Sequence, residues 1–181
     1  MVVAFLTGEK VYLRPLERTD ADVLLPWVND PEVTRTLLLH RPMNREAEIE
    51  FIDRAAKSEH DVVAGIVEKS TDQLIGATGL TQIDVRNRHC QFGIFIGAKD
   101  LWSKGYGTEA ARLITGYAFD TLNMNRVWLH VSDNNTAGIR AYEKIGYRKE
   151  GVLRQAMYRE GRYWDIISMA ILLEEWPSRS L

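Results

Sequence analysis

The sequence predicts an α+β fold, with a mixed, mostly antiparallel sheet flanked by helices. Three observations predict it. Alternating apolar segments at 62–67, 73–82 and 89–96 are separated by polar turns, the pattern of an antiparallel meander. Amphipathic helical stretches lie before that meander and after it. Two further strand-like segments, 147–155 and 163–172, close the chain around a Glu160-Gly161 turn. With 181 residues, 45% of them hydrophobic, the chain can fill one core, and a single domain over 1–181 is expected.

Each element has a local reason. Residues 10–16 alternate as a first strand. Thr19 caps a helix over 20–28, with Asp20 and Asp22 in its first turn, and Asn29-Asp30-Pro31 stops it. Residues 32–40 read as a short irregular or helical piece. Asn44 caps a second helix, whose Ile49, Phe51, Ile52, Ala55 and Ala56 make a broad apolar face. Ser70-Thr71-Asp72 and Asn87 mark the turns of the meander. Gly76 and Gly79, inside its second strand, imply kinks or close backbone approach. A helix over 108–122 buries Ala110, Leu113, Ile114, Tyr117 and Ala118, and 126–131 is the next strand. The last helix, 136–145, ends at Gly146 as its C-cap.

The most informative stretch runs from Leu101 to Ala110, between a strand and a helix. Gly105 and Gly107 at the mouth of a helix let backbone N–H groups crowd around an anion. The helix N-terminus adds unpaired donors and a partial positive charge. No Lys-Ser or Lys-Thr follows the last glycine, which excludes a nucleoside-triphosphate P-loop. No third glycine completes a dinucleotide fingerprint. A Gly-x-Gly of this kind is also compatible with a plain tight turn.

Bulk properties exclude other classes. A formal net charge of -2 gives no basic excess for nucleic acid or a membrane surface. The single cysteine, Cys90, excludes an internal disulfide and a Cys-based zinc site. His40, His60, His89 and His130 are scattered without metal-ligand spacing, so no metal is expected. The apolar start from Met1 to Leu6 is too short for a signal sequence, no apolar run is membrane-spanning, and a cytoplasmic location is expected.

The element order and three segments resemble the GCN5-related N-acetyltransferases (GNAT). Within them the chain is similar to the branch of ribosomal-protein N-terminal, spermidine and amino-sugar acetyltransferases. The segments are Lys104-Gly105-Tyr106-Gly107, the run from Asn135 through Tyr142 to Gly146-Tyr147, and Gly161-Arg162-Tyr163-Trp164-Asp165. The resemblance spans nearly the whole chain. One departure is Trp102, which stands where the family usually has Gln or Arg.

The resemblance implies acetyl-CoA as cofactor and a sheet whose central strands splay apart. Ile94, Phe95 and Ile96 would meet the pantetheine arm. Lys104, Gly105, Tyr106, Gly107 and Thr108 would hold the pyrophosphate, with the Lys104 side chain either adding charge or simply solvated. Tyr142 would protonate or hydrogen-bond the leaving thiolate. Asn135 would cap its helix, contact the pantetheine arm, or both. The implied reaction moves acetyl to a primary amine by direct attack on the thioester. Gln91 stands where some relatives carry a glutamate base, and no base is assigned; His89, His130, acidic side chains and a water relay stay open. Asp165 is read as structural or as an acceptor contact. The acceptor pocket is expected from 27–51 and 157–164. The favoured acceptor is a ribosomal-protein-type peptide N-terminus. A polyamine, a nucleotide-amino-sugar or an aminoglycoside is the alternative, as is a non-catalytic acyl-CoA sensor. The run Glu46, Glu48, Glu50 would attract a cationic acceptor or merely complement a helix dipole. A homodimer through a sheet edge is compatible with the pattern.

Overall fold

The computed structural model describes residues 3–177; Met1 and Val2, and the last four residues of the 1–181 span, lie outside the described residues. Among the described residues eight strands form one sheet: β1 (Leu6–Thr7), β2 (Val11–Pro15), β3 (Val62–Glu68), β4 (Gln73–Asp84), β5 (His89–Ile96), β6 (Arg126–Ser132), β7 (Arg148–Arg159) and β8 (Arg162–Leu172). Their order is β1-β2-β3-β4-β5-β6-β8-β7. The helices are α1 (Ala21–Val28), α2 (Pro31–Thr34), α3 (Arg45–Lys57), α4 (Tyr106–Asp120) and α5 (Thr136–Ile145).

All neighbouring strands are antiparallel except β5 and β6. That parallel contact covers only His89↔Arg126, Cys90↔Val127 and Gln91↔Trp128. Beyond it β5 stays paired with β4 as far as Ile96, and β6 with β8 as far as Ser132. The two central strands therefore part, as the resemblance implied, and the β6-facing N–H and C=O groups of β5 lose their strand partner.

Side-chain alternation along β5 divides the core between the two faces. Cys90, Phe92, Ile94 and Ile96 join the larger cluster with Ala110, Leu113 and Ile114 of α4. Phe95 faces the smaller cluster, Ala21 and Leu24 of α1, Ile52 of α3 and Ala77 of β4. Full burial of a leucine or isoleucine contributes about 1.5–3 kcal/mol, so this packing outweighs the local propensity of any one segment. Close backbone approach is the reason for Gly76, where a Cβ would stand 2.2 Å from the carbonyl oxygen of Phe95.

Several local expectations change. Thr19 does not cap α1: residues 18–20 form a 3-10 turn, in which the Asp20 carboxylate accepts from the Glu17 amide at 2.8 Å. That carboxylate is also held by both terminal nitrogens of Arg14, at 2.6 and 2.8 Å, so tertiary pairing decided the cap. Asp30 and Pro31 do more than stop α1, because the Asp30 side chain accepts from the Glu32 amide and opens α2. α4 starts two residues earlier than 108 because Gly105, at φ 91°, is its left-handed N-cap. Ala56 of α3 is exposed, and Glu48 is buried in its place on the inner face. The Gly146 C-cap is as expected, at φ 117°.

Candidate active site

Two clefts open where β5 and β6 part, of about 410 and 380 Å³. They share Thr36, Leu37, Ile94, Phe95, Asn135 and Tyr142. A molecule in one cleft therefore meets a molecule in the other beside Tyr142.

The second cleft runs to the N-terminus of α4. Of the ten residues expected to bind the cofactor, Ile94, Phe95, Ile96, Gly105, Tyr106, Gly107, Thr108, Asn135 and Tyr142 line it. Lys104 does not; it is exposed, and its carbonyl accepts from Lys10 Nζ at 2.9 Å. Lys10 is the cation that geometry adds here, lying 5.7 Å from the centre of the Tyr106 ring. Sequence spacing offered no sign of it across 94 residues. The first backbone bond of α4 runs from the Glu109 amide to the Gly105 carbonyl at 3.0 Å. The amides of Tyr106, Gly107 and Thr108 precede that bond and have no intrahelical acceptor. Trp102, the departure from the family pattern, ties the loop to the end of β5. Its indole Nε1 donates to the Ile96 carbonyl at 2.8 Å.

Asn135 caps its helix, as one of its two readings had it. Its Oδ1 accepts from the Gly138 amide at 2.9 Å, capping α5, and the residue also lines both clefts. Tyr142 stands one turn before the end of α5, edge-on to Phe92 with centroids 5.7 Å apart. Burial pushes its phenol up to about 12. Its proton is accordingly retained across the whole neutral range.

The first cleft is walled by α1, α3, the segment between α2 and α3, and the strands β3 to β6. Leu24, Val28, Leu37, Leu39, Met43 and Phe51 supply apolar surface, and Glu48, Gln91 and His130 supply polar groups. Gln91 Oε1 accepts from Gln82 Nε2 at 2.7 Å. His130 lies against Trp128, with centroids 5.2 Å apart. His89 lines neither cleft and sits 3.8 Å from Asp84 at the β4–β5 turn. Asp165 is structural: its Oδ1 accepts from the amide of Gln155, which sits at φ 52° in the β7 bulge. The segment 27–51 contributes as expected, but no residue of 157–164 lines the cleft. The hairpin acts at one remove, through Arg159, which donates to the carbonyls of Leu37 and Leu39. Trp27 packs on Gly97, where a Cβ would stand 2.0 Å from the indole. Asp30 and Glu32 each hold Lys99 at 2.8 Å, which fixes the early helices to the end of β5.

The family model of the acetyltransferase (GNAT) domain matches residues 10–148. The chain belongs to the GNAT family. It is an acyltransferase, which favours the enzyme over the acyl-CoA sensor. An uncharacterized N-acetyltransferase, p20 of Bacillus licheniformis, is 31% identical over 94% of this chain and 97% of its own length. The spermidine N(1)-acetyltransferase of Escherichia coli K12 is 30% identical over 94% of this chain and 90% of its own. The spermidine N-acetyltransferase of Vibrio cholerae in complex with CoA and spermine superposes with a TM-score of 0.85 at 25% identity, covering 93% of this chain and 98% of that one. No helix among the described residues is long and apolar enough to cross a membrane.

Proposed function

We propose that this chain, as one domain over 1–181, transfers acetyl from acetyl-CoA to a primary amine. The observation that carries the reading is the placement of Tyr142 and Asn135 at the junction of the two clefts, between the splayed strands. Residues Gly105 to Thr108 would hold the pyrophosphate on the free amides of α4, with Lys10 close by. Ile94 to Ile96 would hold the pantetheine arm on the unpaired edge of β5. Acetyl-CoA bound there supplies an acetyl thioester to the junction.

The chain's own residues orient and hold protons. Much of the acceleration comes from holding amine and thioester together. Tyr142 lines the junction, and burial keeps its phenol protonated across the neutral range. A thiol ordinarily titrates near ~8.5, well below a phenol at about 12, so complete proton transfer to the departing sulfur runs uphill. Tyr142 therefore serves as a hydrogen-bond donor to that sulfur. Of the open base candidates, His130 lines the acceptor cleft and His89 does not.

The acceptor reading moves from the peptide N-terminus toward a small amine. The spermidine-acetylating relatives support that shift, as does the enclosure of the first cleft by Thr36 to Leu39. The test is thiol release from acetyl-CoA with aliphatic amines, Ser- and Ala-ended peptides, amino sugars and aminoglycosides. Release that depends on a small amine is expected. Tight CoA binding with no release from any amine would overturn the reading.

A further inference from the structure

A lysine-type ammonium ordinarily titrates near ~10.4, so at neutral pH only about one acceptor in a thousand carries the lone pair that attacks a thioester. A base beside the junction removes that limit.

His130 stands where β5 and β6 begin to part. Gln91 and Trp128 are the last partners of the parallel contact. Two positions further along each strand come Gly93 and His130, opposite one another across the opening. Cys90 and Phe92 of β5, like Leu129 and Val131 of β6, belong to the larger core cluster. Strand alternation therefore turns Gln91 and His130 to the other face of the sheet. On the β5 side the opening is clear, because a Cβ on Gly93 would meet nothing within 4 Å. Gly93, His130, Asn135 and Tyr142 all line the first cleft.

The His130 ring is half-buried and packs on Trp128, with the two planes at 65°. That contact holds the ring without using either nitrogen. The other histidines are tied elsewhere. His40 Nδ1 lies 3.5 Å from the Leu38 carbonyl, His60 Nδ1 lies 3.3 Å from the Ile83 carbonyl, and His89 Nε2 lies 3.8 Å from Asp84. None of those three lines either cleft, and His130 has no such partner among the described residues.

Few titratable groups surround it. α3 supplies Glu48 to the first cleft and α5 supplies Tyr142, while α1, the 36–39 segment and β3 to β5 add no charged side chain to its lining. On β8 the partners of residues 129–131 are Met169, Ser168 and Ile167. On β6 itself, Arg126 is paired with Glu150 of β7. Glu48 belongs to a helix that packs on β3, two strands away from β5.

We propose that His130 is the general base of the transfer. The proposal rests on the acetyl-transfer reading of the site. The neutral imidazole takes one proton from the bound ammonium. The freed lone pair attacks the thioester carbonyl carbon, a C–N bond forms, and the C–S bond breaks with its electron pair on sulfur. A second proton passes from the nitrogen to that sulfur, which leaves as the thiol. The imidazolium then gives its proton to water.

The test is the pH dependence of kcat/KM at saturating acetyl-CoA, in the wild type and in His130→Gln. The acceptor is butylamine, or the amine of the panel that releases thiol where butylamine does not. Histidine ordinarily changes charge between about pH 5 and 8, so the wild-type rate should rise through that range and then level off. In His130→Gln only the free amine reacts. Its rate should be about 100-fold lower or more at neutral pH and should climb about tenfold per pH unit without a plateau, so that the gap closes toward the titration of the ammonium itself. CoA affinity by calorimetry should stay within about twofold, because His130 does not line the second cleft. Added imidazole should restore part of the rate to His130→Ala. A plateau that survives in His130→Gln would overturn the proposal, and so would a plateau lost only in Glu48→Gln. An equal fall at every pH, or failure of both His130→Gln and His130→Ala to fold, would make the ring structural and overturn it too. Amine-dependent release without the histidine limb would remove His130 and leave the acetyl-transfer reading standing. Release from no amine, with CoA still bound, would sink both.

Discussion

Arg159, at the end of β7, donates from one Nη2 to the carbonyls of Leu37 and Leu39, 120 residues away from the latter in sequence. This contact fixes the one wall of the first cleft that belongs to no helix or strand. Leu38 and Leu39 there are 50% and 41% exposed, so little apolar burial holds the segment in place. A bond to a charged donor contributes about 1.5–3 kcal/mol, enough to decide whether such a segment is ordered. Arg159→Ala should raise KM for the amine about tenfold and weaken CoA binding less, because Leu37 borders both clefts while Leu38 and Leu39 border only the first, whereas Arg159→Lys, which keeps the charge, should recover part of the loss. A parallel fall in CoA affinity would show a general structural role instead.

Tyr142 gives a second prediction. Tyr142→Phe should lower kcat by about 10- to 100-fold, the range of a lost hydrogen bond to a charged group, with CoA affinity within about twofold. Its titration is separable from catalysis. The folded phenol sits at about 12, above the ordinary value of 10.0. The stability linked to this shift is fully present below pH 10.0 and is lost as pH rises through about 12. A shift of this size corresponds to about 3 kcal/mol. Chemical denaturation of Tyr142→Phe should therefore show a shallower alkaline decline than the wild type. Some decline remains, because burial also raises Tyr147. Activity should have no basic limb from Tyr142 below pH 10.0.

Arg14 and Asp20 form a buried pair that anchors the turn into α1. Burial pushes the Asp20 carboxyl up, but the Arg14 guanidinium and the Glu17 amide together hold it below the usual value. Its contribution is thus present at neutral pH and lost as pH falls through that lowered value. Asp20→Asn leaves Arg14 buried without its counter-charge and should cost about 3–5 kcal/mol by urea unfolding, most of it at neutral pH. A loss below about 1 kcal/mol, the range of a surface pair, would show that water reaches Arg14.

What the sequence made legible is what depends on local chemistry. Asn44 and Asn135 as caps, Gly146 as a left-handed C-cap, and the close approach at Gly76 all follow from residue type and neighbours. The same holds for Gly105 at the mouth of its helix. What stayed hidden depends on residues far apart in sequence. Lys10 reaches the loop across 94 positions, and Arg159 reaches Leu39 across 120. Thr19 looked like a cap until Arg14 and the Glu17 amide claimed Asp20. Glu48 was readable as a dipole partner because periodicity does not reveal that a polar residue occupies the buried stripe.

Gly105 and Gly107 separate two reasons for glycine within one loop. Gly105 is at φ 91°, a conformation that costs an L-residue about 1–2 kcal/mol. Gly107 has helical geometry, and a Cβ there would meet nothing nearer than Ile96 Cγ1 at 3.5 Å, an ordinary contact. Its neighbours in the chain therefore do not demand glycine. Gly107 does line the second cleft, and on the proposed reading a methyl group there would crowd a pyrophosphate held on the free amides. The two substitutions should then move stability in opposite directions. Gly105→Ala should lower it by about 1–2 kcal/mol, while Gly107→Ala should raise it by about 0.5–1 kcal/mol through helix propensity. Both should weaken CoA binding, Gly107→Ala by about tenfold or more despite its firmer fold, since lost donors to a charged group account for that much. Thermal unfolding with and without CoA reads both quantities at once. A Gly107→Ala protein that gains stability and keeps its full shift on adding CoA would place the pyrophosphate elsewhere than on the amides of α4.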